Sequence, residues 1–107
     1  MRIETIESAG KIRISAGDHR EARADVTCAA AAVDVRFHPR SGHHDPQVPA
    51  RLVAAIFELP QLRDVHRMLA SVPIGDVEII RQLADRCPAL HAHAAGATCL
   101  IDADLDR

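Results

Sequence analysis

The chain has 107 residues, a formal charge of −2 and only 2% aromatic side chains. That length holds one domain and not two, and 48% hydrophobic with 26% charged residues is a globular rather than a disordered composition. A pI near 6.4 excludes a general nucleic-acid or membrane-surface binder, which needs a strong basic excess.

With so few aromatics the core must be built from Leu, Ile, Val and Ala, each burying little area. Twelve arginines against one lysine (Lys11) and 19 alanines match the codon bias of a GC-rich bacterial genome more simply than an arginine-specific function. The acidic start Met1-Arg2-Ile3-Glu4-Thr5-Ile6-Glu7 is no secretory signal. The longest charge-free apolar run, around Leu52–Phe57, is far short of a membrane span. Cys28, Cys87 and Cys99 are odd in number and widely spaced, which predicts reduced thiols and a cytoplasmic, membrane-free protein.

Lys11-Ile12-Arg13-Ile14-Ser15 alternates polar and apolar residues and predicts a half-buried strand between turns at Ser8-Ala9-Gly10 and Ala16-Gly17-Asp18. Glu21–Phe37 can be read two ways. As helix, Val26, Ala29, Ala30, Val33 and Phe37 form one stripe; as sheet, the alternation slips within Ala29–Ala32. The clean alternation of Val33-Asp34-Val35-Arg36-Phe37 favours two strands, near 22–29 and 32–37.

Residues 38–47, with two prolines and a glycine, predict a flexible loop, and Pro49 suits the first turn of a helix that buries Leu52, Val53, Ile56 and Phe57 before Pro60 ends it. A strand over Val65–Ile74 follows. Asp76 is placed to cap a helix carrying Val77, Ile79, Ile80 and Leu83, closed by Pro88. Strands at Leu90–Ala94 and Thr98–Leu105 flank Ala95-Gly96-Ala97. These elements predict a single α+β domain over residues 1–107: a mixed or antiparallel sheet of about five strands with two helices packed on one face.

Histidine is the residue type in surplus. His91 and His93, two apart on a strand, share a face and could grip one metal ion, with His43 and His44 or a cysteine completing a zinc site. The spacing matches no metal motif, so no cofactor is expected unless zinc binds there. Ser41-Gly42-His43-His44-Asp45 holds the three residue types of a hydrolase triad, but adjacent in sequence rather than assembled across a fold. Arg20 and Arg23 are the candidate nucleic-acid contacts, but interleaved acidic residues and the lack of stacking aromatics argue against that partner. An uncovered sheet face or edge invites pairing. The expectation is therefore a non-enzymatic protein-interaction or regulatory module acting as a homodimer or with a protein partner. A zinc protein or metalloenzyme, and an RNA- or ribosome-associated stress protein, are the alternatives.

Overall fold

The structure, a computed structural model, describes residues 2–19, 21–39 and 45–105. Seven strands form one sheet in the order β1-β2-β3-β4-β5-β7-β6. They are β1 (Ile3–Ser8), β2 (Lys11–Ala16), β3 (Ala22–Cys28), β4 (Ala32–Phe37), β5 (Arg67–Pro73), β6 (Ala89–Ala95) and β7 (Thr98–Asp104). Helix α1 (Gln47–Phe57) joins β4 to β5 through a short 3₁₀ turn at Pro60–Leu62, and α2 (Val77–Arg86) joins β5 to β6. Every neighbouring pair is antiparallel except β4 with β5, which run parallel.

Local chemistry explains the connections. Ala9 (φ 49°) and Gly10 (φ 80°) both take positive φ, the geometry of a two-residue hairpin turn whose twist suits the strands it joins. β3 and β4 are joined through Ala29–Ala31, where the Ala29 N–H bonds the Ala32 carbonyl at 2.9 Å, so the ambiguous alanine run is a turn between two strands. Parallel neighbours cannot share a hairpin, so β4 and β5 require the α1 crossover.

One face of the sheet is the core. Ile12, Ile14, Ala24, Val26, Val33, Val35, Met68, Ala70, Val72 and Ile101 alternate inward along five strands and are all buried. Leu52, Val53 and Ile56 of α1 and Ile79 and Leu83 of α2 cover them. Each fully buried Leu, Ile or Val is worth about 1.5–3 kcal/mol relative to exposure, so this layer carries most of the stability. The opposite face has no helix among the described residues and is polar. Across it the register sets Ile6, Arg13, Asp25, Arg36, Ser71 and Leu100 in one row.

The sheet has seven strands rather than about five. The strand that the sequence does not mark is β1, where Ile3 and Ile6 lie on opposite faces and are both exposed. An edge strand of this kind is held by backbone pairing and leaves no burial alternation in the sequence. The expected strand at Leu90–Ala94 is β6, exposed along almost its whole length at the other edge. The parallel partner of β5 is β4, while β6 lies beyond β7 at the edge. The expected loop at 38–47 is also narrower. His38 still pairs with the sheet, its N–H bonding the Arg23 carbonyl at 2.9 Å, and Gln47 already belongs to α1. Among the described residues no helix is long and apolar enough to cross a membrane.

Candidate active site on the open face at the carboxyl end of β4

In an open sheet of this kind a ligand crevice is expected beyond the carboxyl ends of parallel strands, where the chain departs into helices. β4 and β5 are the parallel pair, and the first turns of α1 and α2 follow their carboxyl ends. The alternation that buries Val33, Val35 and Phe37 turns Asp34, Arg36 and His38 onto the open face.

There His38 meets two side chains from neighbouring strands. Its Nε2 lies 2.8 Å from Asp25 Oδ2, and the Arg13 Nε–H donates to Asp25 Oδ1 at 2.9 Å. The Arg13 hydrogen bond is the main reason that the Asp25 carboxyl titrates below its ordinary range, with the His38 contact adding to it against the cost of burial. The same bond raises the Arg13 guanidinium. An ionised carboxylate only accepts hydrogen bonds, so the imidazole donates from Nε2, and the neutral ring then carries its lone pair on Nδ1. Arg13 fixes the charge of Asp25, and Asp25 fixes the tautomer of His38. The product is an oriented base, one third exposed, beside the parallel pair.

Below this group the open face dips into a basin of about 560 Å³ whose lining includes Ile6, Lys11, Arg13, Asp25, Asp34 and Arg36. The first turn of α1 is largely satisfied by its own chain. Asp45 Oδ1 accepts the Gln47 N–H at 2.9 Å, its carbonyl accepts the Val48 N–H at 3.0 Å, and Pro49 has no N–H to offer. At α2, Asp76 is the capping residue as expected but its side chain makes no capping hydrogen bond, unlike the expected cap.

The residues singled out from sequence are placed elsewhere. His91 and His93 share the open face of edge strand β6, at the opposite side of the sheet from Asp25. His91 is opposite Asp102, whose carboxyl is held low first by Arg67, 2.9 Å away, and only secondarily by His91. Among the described residues no three His, Cys, Asp or Glu side chains group to hold a metal ion. His43, His44, Ser41, Gly42 and Arg20 lie outside the described residues. Arg23 stands exposed on the open face of β3 beside His38. Cys87 and Cys99 are buried, and partial burial, with Glu7 adding to it, pushes the Cys28 thiol up, so none of the three is an activated nucleophile. The pairing of His38 with Asp25 does not show in the sequence, where residues 38–47 read as a loop. The signal was the unbroken alternation Asp34, Arg36, His38 running past Phe37.

No protein-family model matches the chain, and no curated protein matches it at a significant level. The fold does match solved structures. A chain described as an acyl-CoA N-acyltransferase from Klebsiella pneumoniae superposes with a TM-score of 0.63 at 13% identity, over 91% of this chain and 74% of that one. The GNAT domain of S. lividans PAT gives 0.59 at 17% identity, over 90% and 61%. A chain described as an acetyltransferase from Sphaerobacter thermophilus gives 0.60 at 16% identity, over 90% and 68%. The fold is therefore GNAT-like, and this chain spans 61–74% of the length of the three. The expectation of a non-enzymatic module is corrected accordingly: the fold is one whose neighbours are described as acyltransferases or as a GNAT domain.

Proposed function

We propose that the chain is an acyltransferase that moves an acyl group from a coenzyme A thioester to a primary amine. The observation that carries this reading is the GNAT-like sheet, shared over at least 90% of the chain with three structures described as acyltransferases or as a GNAT domain. The Arg13–Asp25–His38 relay supplies the chemistry such a reaction needs from the protein.

Amine acylation requires a neutral nucleophile. His38 Nδ1 takes the proton as the amine nitrogen attacks the acyl carbon, and the C–N bond forms as the C–S bond breaks. The proton passes from the imidazolium to the departing thiolate, so free coenzyme A leaves and His38 returns to its neutral form. Asp25 stabilises the imidazolium that forms in between, being anionic and 2.8 Å from Nε2.

The test is incubation of the purified protein with acetyl-CoA and a panel of primary amines, with released coenzyme A and acylated product measured by chromatography and mass spectrometry. The reading expects stoichiometric appearance of both. Absence of acetyl-CoA binding by calorimetry, together with no product from any amine, would sink it.

A further inference from the structure

The turn at Ala9-Gly10 joins β1 directly to β2, and among the described residues no helix lies over the open face of β1–β4, where Arg13, Thr27, Asp34 and Arg36 are exposed. The basin on that face of about 560 Å³ is therefore reachable, and it begins where the relay ends, since Arg13 and Asp25 belong to both.

Its charges are unevenly engaged. Arg13 is committed to Asp25. Arg36 is directly opposite Asp25 in the register, but both Asp25 oxygens are already engaged, by Arg13 and by His38. Among the described residues Arg36 has no ion-pair partner, and its guanidinium is exposed and faces the basin. Arg36 and His38 are two residues apart on one strand face, about 7 Å along β4. A planar cation with free donors at that distance from an oriented base is a two-point receptor: the guanidinium fork takes a carboxylate and the base takes an amine.

We infer that the acceptor is a small amine that also carries a carboxylate, an amino acid or a close relative. Arg36 anchors the carboxylate and holds the amine toward His38 Nδ1. This assignment rests on the acyltransferase reading and deepens it. The rest of the acceptor lies in the basin between Ile6, Thr27 and Lys11. Asp34, the next open-face residue along β4, disfavours a second acidic group there and accommodates a polar or basic one.

The experiment compares each amino acid with its own carboxamide as acceptor, with acetyl-CoA as donor, in the unaltered chain and in Arg36→Gln and Arg36→Lys. A charge-assisted, two-bond anchor is worth a factor of about 10–100 in kcat/KM. The unaltered chain should therefore prefer the free acid by that factor, mostly through KM. R36Q should bring the acid-to-amide ratio to about one, and R36K should keep part of it. Arg36 is exposed, so both variants fold, and a melting midpoint near the original checks this. Equal use of acid and amide by the unaltered chain overturns the inference while leaving acyl transfer standing. If acetyl-CoA neither binds nor reacts, the acyltransferase reading falls, and NMR titration with amino acids alone decides the receptor. Carboxylate-dependent shifts on β4 that vanish in R36Q support it, and no shifts overturn it.

Discussion

Replacing His38 with alanine separates the proposed base from the fold that holds it. The imidazole is one third exposed and packs in no core layer, so its removal costs little beyond one hydrogen bond to Asp25. A general base contributes about 10²–10⁴ to rate, or about 2.7–5.4 kcal/mol of barrier at 1.36 kcal/mol per decade. The expected stability cost is smaller, about 1 kcal/mol for a surface pair, against a typical reserve of about 5–15 kcal/mol. The variant therefore stays folded while it loses activity. Asp25→Asn sharpens the argument. The new amide can present its NH₂ to Nε2, which moves the ring proton to Nδ1 and removes the lone pair the reaction uses, so D25N should approach H38A in rate. Initial rates at saturating acetyl-CoA and amine, taken beside a urea titration, measure both effects. An H38A rate within threefold of the original would refute the assignment. Full activity in D25N beside a dead H38A would refute the role given to Asp25.

The remaining expectations concern the scaffold. Leu52→Ala empties the fully buried centre of α1 and should lower stability by about 2–5 kcal/mol, read as a shifted urea midpoint at constant m-value. Gly17→Ala and Gly10→Ala should each cost about 1–3 kcal/mol, because both residues hold positive φ. The Glu21 carboxylate beside Gly17 ends a flexible exposed side chain that can swing away from a new Cβ, so paired melting curves should show similar losses. Asp25 and Asp102 both titrate below the ordinary carboxylate value near 3.9, Asp25 mainly through Arg13 and Asp102 mainly through Arg67. Their stabilisation is complete above that value and is lost as pH falls through the lowered folded values. The urea midpoint should hold level in this respect from about pH 5 to 7 and drop below about pH 4, less steeply in D25N.

Much of the core was legible because burial there follows period. Ile12 and Ile14, Val33 to Phe37, and the two helical stripes at Leu52–Ile56 and Ile79–Leu83 are all positions where one face is dry and the other wet. Alternation also decided the alanine run in favour of two strands, against the strong helix propensity of four alanines. What stayed hidden was whatever burial does not police. β1 is a sheet edge with both faces largely exposed, and its sequence carries no dry side to read. The parallel pairing of β4 with β5 was hidden for another reason: it is set by where α1 returns the chain, not by either strand's own residues.

The relay was hidden by distance along the chain, although each member occupies a polar position of a recognisable strand. Arg13, Asp25 and His38 are brought together by register alone, with Arg13 opposite Asp25 and the Arg23 carbonyl accepting the His38 N–H. The β2–β3 register runs from Ala16 opposite Ala22 to Lys11 opposite Thr27. Just beyond its first pair Gly17, at φ 98°, gives its N–H to the Arg2 carbonyl at 2.9 Å and ties the end of β2 to the β1 side. A slip of one residue would put Arg13 opposite Ala24 or Val26, on the wrong face for any carboxylate, and would turn the core alanines outward. Gly17 stands at positive φ beside the first pair of that register, so the G17A variant should lose activity in step with stability, as matched rate and urea measurements would show.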